Sequence, residues 1–139
     1  MSVAVNPYLF FQGNAREVME FYKDIFGGEL TVKTYAEVGM ADGPMGPDHL
    51  MHANLEGGHV KLMASDAAKA SPVAAKVTIS LSGSDEAALR TIFEKLCDGV
   101  TTEFPLKKEA WGDIFGSVTD KYGVDWMVNI AQPTEEQPA

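Results

Sequence analysis

The chain runs twice through one order of elements: strand, helix, strand, strand, strand. In the first pass, residues 5–11 form a short apolar and aromatic run suited to a buried strand. Gly13-Asn14 breaks it, and Asn14 with Glu17 has the spacing of a helix capping box. Val18, Phe21, Tyr22, Ile25 and Phe26 then fall at i, i+3, i+4, i+7 and i+8, one face of a helix that Gly27-Gly28 ends. Residues 30–37, 50–55 and 60–64 have strand character, with a Gly- and Pro-rich loop over 39–48 and a Gly57-Gly58 turn signal. In the second pass, residues 77–81 alternate as a strand, and Ser84, Asp85 and Glu86 supply a cap and negative charge for a helix start. Leu89, Ile92, Phe93, Leu96 and Cys97 repeat the helical stripe, and Asp98-Gly99 ends it. Residues 100–106, 111–119 and 124–130 are three more strand-like runs. A shift of 71 residues lays Val18, Phe21, Tyr22, Ile25, Phe26 and Gly28 on Leu89, Ile92, Phe93, Leu96, Cys97 and Gly99. The repeated element order points to an internal duplication.

A βαβββ unit has one helix, which covers one face of its sheet; the other face must be covered from elsewhere or line a cavity. The expected fold is therefore α+β: two tandem βαβββ modules forming a curved mixed sheet with a concave cavity. The expected boundaries are 1–66 for the first module, 67–75 for a linker, 76–131 for the second module and 132–139 for a disordered tail. All of this fits one structural domain of 139 residues, and an apolar content of 45% supplies a core and argues against intrinsic disorder. The linker character begins at Ser65, where the chain becomes small, Ala-rich and contains Pro72.

Charge narrows the partners. Eleven basic against 20 acidic residues give −9, a balance that repels phosphate backbones, so no nucleic-acid partner is expected. A single cysteine, Cys97, excludes an intrachain disulfide framework and a multi-Cys metal cluster. No apolar run approaches the ~20 residues that span a bilayer, so no membrane partner is expected. Without a basic flank or apolar signal core at the N-terminus, the expected location is cytoplasmic.

Among single residues, His52 stands out, because it lies inside the apolar run 50–55. It reads as a pocket imidazole, either a ligand hydrogen-bonder or a general base; the alternatives are a buried structural His or one at a subunit contact. His49 is three residues away, on the opposite face of a regular strand, so the two are not expected to form a chelate unless the strand bends. His59, beside the glycine turn, is expected in solvent. Trp126 alternates with Val124, Val128 and Ile130 and belongs in the core under a helix, which turns Met127, Asp125 and Asn129 toward the cavity. Trp111 either closes over a ligand or covers core, and Tyr35 and Phe115 are further pocket candidates. Asp113 and Asp120 flank the run 114–119, and Asp120 has the context of a turn residue bonding its own backbone. Cys97, on the helical stripe, is expected to be an inert thiol.

Four stretches carry a resemblance: Asn6-Pro7-Tyr8-Leu9; Phe21-Tyr22 with Phe26-Gly27-Gly28; Met51-His52-Ala53; and Trp111-Gly112-Asp113 through Phe115-Gly116, Asp120, Gly123 and Trp126. Through them the chain resembles the vicinal oxygen chelate superfamily of glyoxalase I, bleomycin-resistance proteins and extradiol dioxygenases, in its PhnB-like branch. The resemblance implies the glyoxalase/bleomycin-resistance fold and a homodimer. It also implies four positions for ligands to a divalent metal, which here fall on Pro7, Leu62, Thr78 (or Val77) and Met127. None suits a hard or borderline cation, so no metal and no cofactor is expected. The branch is often labelled a demethylubiquinone methyltransferase, but the sequence has no Gly-rich strand-to-helix loop for a nucleotide-like cofactor.

The expected function is metal-free binding of a small hydrophobic or aromatic molecule, with Tyr35, His52, Trp111, Phe115 and Met127 as the binding residues. One alternative is a lyase or isomerase acting on a small carbonyl compound, with His52 as catalytic base. Another is a metal-dependent enzyme with displaced ligands, such as His52 with Asp113 or Glu56. A purely structural or regulatory role has little in the sequence to carry it.

Overall fold

A computed structural model describes residues 6–58, 60–67, 77–102 and 104–132. The chain divides into two compact units, Met1–Ala74 and Ala75–Ala139. The first holds β1 (Tyr8–Phe11), α1 (Ala15–Phe26), β2 (Glu29–Thr34), β3 (Leu50–Gly57) and β4 (Val60–Asp66). The second holds β5 (Ile79–Gly83), α2 (Glu86–Leu96), β6 (Phe104–Lys108), β7 (Ile114–Thr119) and β8 (Asp125–Ile130). Their sheets have the same topology, β1-β4-β3-β2 and β5-β8-β7-β6. In each, the first and last strands pair in parallel and the other neighbours are antiparallel. The fold is thus α+β with tandem βαβββ modules, as the element order implied.

Both amphipathic stripes reach their sheets. Val18, Tyr22 and Ile25 of α1 are buried, and so are Leu89, Phe93 and Leu96 of α2. Trp126, Val128 and Ile130 are also buried, which puts Trp126 in the core. Its indole Nε1 donates to Asp120 Oδ2 at 2.9 Å. The other carboxylate oxygen of Asp120 accepts from the backbone N–H groups of Tyr122 and Val124, so the turn is tied to the indole by one side chain. Asp85 caps α2 by accepting from Ala88 N.

The first helix starts differently from the expectation. Asn14 occupies the N-cap position but makes no side-chain cap bond. Asp66, at the far end of β4, does the work instead: its Oδ1 accepts from Gly13 N and Ala15 N, both at 2.9 Å. Its Oδ2 accepts from Leu50 N at 2.9 Å, and its backbone carbonyl accepts from the Tyr35 hydroxyl at 2.7 Å. Ser65 and Asp66 are therefore buried strand residues, a correction to the reading of a linker from Ser65. The rest of that linker, 68–75, and most of the tail, 133–139, lie outside the described residues, as does His59.

Strand limits move elsewhere too. The run 111–119 becomes a turn over 109–112, closed by Gly112 N donating to Glu109 O, followed by β7 from Ile114. The run 100–106 yields β6 at Phe104–Lys108, whose register shifts between Phe104 and Lys107. Pro105 is tolerated there because β6 is an edge strand. Gly116 is required by close approach: a Cβ at this position would sit 2.9 Å from Leu106 N and Phe104 O.

Replacing Asp66 by Ala leaves three backbone donors without their acceptor, at about 1–3 kcal/mol for each buried one. Urea denaturation should show Asp66→Ala destabilised by about 3 kcal/mol or more. Asn14→Ala should stay within about 0.5 kcal/mol of the parent. Equal losses at the two positions would contradict this account of the cap.

Candidate functional site

In each module the helix marks one face of the sheet, and strand alternation assigns the other. Asp66 bonds to the start of α1, so Leu62 and Ala64 share the helix side of β4. Their partners across the ladder, Leu55 and Ala53, lie on that side as well. His52, Asn54 and Glu56 of β3 consequently lie on the open face, with Met63 of β4 and Tyr8 of β1 beside them. Lys33 of β2 pairs with His52 on the same face. The register of β2 and β3 shifts at this point, Met51 being the extra residue.

The polar groups of this face are close together. Tyr8 Oη lies 3.2 Å from His52 Nδ1, and the two rings are 5.8 Å apart between centroids. Tyr8 also packs on Phe10 at 5.0 Å. Asn54 Nδ2 donates to Glu56 Oε1 at 3.3 Å, and Lys61 Nζ bonds the same oxygen at 3.1 Å. These bonds, that from Lys61 first and that from Asn54 second, hold the Glu56 carboxyl below its ordinary value.

In the second module, Gly83 of β5 lies against Leu89 of α2 and pairs with Ile130. Trp126, Val128 and Ile130 are thereby on the helix side, and Asp125, Met127 and Asn129 on the open side. A depression of about 380 Å³ occupies this open side. Its walls include Phe104, Phe115 and Met127, with Ser117, Thr119 and Asp125 as polar members. Thr119 Oγ1 and Asp125 Oδ1 are 2.5 Å apart, the hydroxyl donating. Thr78 and Thr101 also border it.

Of the five residues expected to bind a ligand, Phe115 and Met127 meet in this depression. Trp111 is 63% exposed and stands edge-on to Phe115, with centroids 6.1 Å apart. His52 lies on the open face of the first sheet, against Tyr8. Tyr35 opens the loop between β2 and β3, and its hydroxyl is engaged by the Asp66 carbonyl. Sequence reasoning gave no role to Tyr8, Asn54 or Phe104. The period-two alternation that singled out Met127 would have found Asn54 beside His52; Tyr8 needed the parallel pairing of β1 with β4.

The residues do not fit the divalent metal that the fold family implies. Leu62 is buried on the helix side, so that ligand position points away from the open face, whose β4 residues are Lys61 and Met63. Pro7 offers its carbonyl, which accepts from Met63 N. Thr78 and Met127 border the depression but supply no carboxylate or imidazole. The displaced set fares no better: Glu56 is held by Lys61, and the Asp113 oxygens accept from Asn129 Nδ2 and Gln132 N. Among the described residues, no three His, Cys, Asp or Glu side chains are placed to hold a metal ion. Nor is any helix among them long and apolar enough to cross a membrane.

This architecture defines a vicinal oxygen chelate protein of the PhnB-like branch. The chain belongs to the family described as 3-demethylubiquinone-9 3-methyltransferase, whose model matches residues 3–129. It is 35% identical to protein PA1353 from Pseudomonas aeruginosa, with a TM-score of 0.79 over 95% of this chain and 100% of that one. A PhnB protein from Bacillus cereus, described as a putative 3-demethylubiquinone-9 3-methyltransferase, is 25% identical, with a TM-score of 0.75 over 93% and 100%. Protein YjdN of Escherichia coli is 29% identical over 94% of this chain and 99% of its own length. A bleomycin-binding protein complexed with bleomycin shares the fold at 13% identity and a TM-score of 0.59.

The lowered Glu56 acidity sets a sign for pH dependence. A carboxyl with a depressed folded value adds stability above its unfolded value, near 4.5, and loses it as pH falls through the folded one. The stability difference between the parent and Glu56→Gln should be small at neutral pH and vanish in acid, as read by denaturation at stepped pH. A difference that grows on acidification would contradict the Lys61–Glu56 assignment.

Proposed function

We propose that the protein is a metal-free small-molecule-binding protein of the glyoxalase/bleomycin-resistance type, acting as a homodimer on a small hydrophobic or aromatic ligand. The observation that carries this reading is the depression on the second sheet, with Phe104, Phe115 and Met127 as its apolar walls. Its volume of about 380 Å³ lies within the roughly 300–1,000 Å³ of small-molecule sites. Aromatic walls with a few fixed polar groups suit a planar ligand, and the Thr119–Asp125 pair supplies such groups. Phe104 is 62% exposed, a large apolar surface that a ligand would remove from water. The ligand in the bleomycin-binding relative of this fold supports the same class of activity.

The test is a thermal-shift panel of aromatic and polycyclic compounds. A true ligand at about 100 times its Kd adds about 2.7 kcal/mol of stability and raises Tm accordingly. Phe115→Ala should weaken that ligand about tenfold, the equivalent of about 1.4 kcal/mol. A panel that leaves Tm unchanged throughout would count against the reading.

A further inference from the structure

The open face of the first sheet carries a polar arrangement that the depression on the second sheet does not use. Tyr8 Oη and His52 Nδ1 are within hydrogen-bond reach at 3.2 Å. Two arrangements of the proton satisfy that distance. A phenol is the more acidic donor, and the unprotonated imidazole nitrogen is a better acceptor than a phenol oxygen. The better match is O–H donating to Nδ1, which places the ring proton on Nε2. Among the described residues His52 has no other hydrogen-bond partner, so Nε2–H remains available to a ligand.

Asn54 supplies the complementary group. Its Nδ2 points to Glu56, and its Oδ1 is buried without a partner among the described residues. A buried acceptor without a donor is costly and is satisfied by water or by a ligand. His52 and Asn54 are two residues apart on one strand, so their Cα atoms are separated by roughly 7 Å and their side chains stand on the same face. Phe10, 63% exposed, and Tyr8 supply aromatic surface beside them.

We propose that Tyr8 fixes His52 in the Nε2–H tautomer, and that His52 with Asn54 binds a hydroxyaryl carbonyl compound on the open face of the first sheet. The carbonyl oxygen accepts from His52 Nε2–H, and the ring hydroxyl donates to Asn54 Oδ1. The inference rests on the small-molecule-binding reading and gives it a ligand class. It makes His52 a hydrogen-bond donor and Tyr8 a positioning residue. A catalytic base would need the opposite tautomer.

The experiment is nitrogen NMR of the imidazole in the full chain, at a pH above the usual imidazole range near ~6.5. The parent should show Nε2 protonated and Nδ1 as acceptor, and Tyr8→Phe should shift His52 toward a mixture of tautomers. Titration with para-hydroxyacetophenone should perturb His52 and Asn54, and Tyr8→Phe and Asn54→Ala should each weaken it about five- to tenfold. Acetophenone, lacking the hydroxyl, should bind the parent and Asn54→Ala equally. An unchanged tautomer in Tyr8→Phe overturns the dyad. If para-hydroxyacetophenone leaves His52 unperturbed while another aromatic binds at Phe115, the ligand class fails and the broader reading stands. If no aromatic compound binds at either sheet, the broader reading fails, and the tautomer still decides the role of Tyr8.

Discussion

A four-stranded sheet has two faces, and each module of this protein has one helix to cover them. The other consequences follow from that mismatch. Apolar residues concentrate on the helix side, where Leu55, Leu62, Trp126 and Val128 are buried. Polar and aromatic residues share the open side, where the strand period places His52 beside Asn54 and Met127 beside Asp125 and Asn129. An open polar and aromatic face is thus a by-product of the module's construction, and duplicating the module duplicates that face.

The precision of each open face depends on buried polar anchors behind it. Asp66 holds the end of β4, the start of α1 and the start of β3 together through one carboxylate. Asp120 does comparable work in the second module, joining the β7–β8 turn to the indole of Trp126. The Asp66 bonds are on the side away from the proposed ligands, whereas Trp126, the partner of Asp120, also borders the depression of the second module. Substitutions at Asp66 are expected to act through stability, whereas the proposed function has substitutions at Tyr8, Asn54 or Phe115 act on recognition. The two classes should separate in denaturation and binding measurements.

Much of this was legible from residue order. The two helical stripes and the alternation around Trp126 depend on local period alone, and both elements formed where the period placed them. The role of Asp66 was not legible, because its partners are Gly13, Ala15 and Leu50, up to 53 residues away in sequence. Local spacing favoured Asn14 as the cap, and a tertiary acceptor took its place. Leu62 was assigned to a ligand position by matching to the superfamily, and the observed ladder puts it on the helix side. Tyr8 lay in a motif but acquired a partner, His52, through the pairing of non-consecutive strands. Contacts set by period were readable, and those set by topology were not.

The central claim is that the open sheet faces bind an organic molecule without the divalent metal of the wider superfamily. Native mass spectrometry of protein purified without chelator tests it most directly, since one spectrum reports assembly, metal and retained ligand. The account predicts a dimer free of stoichiometric divalent metal, carrying an organic adduct or accepting one from an aromatic panel. A stoichiometric divalent metal in the native protein would contradict it.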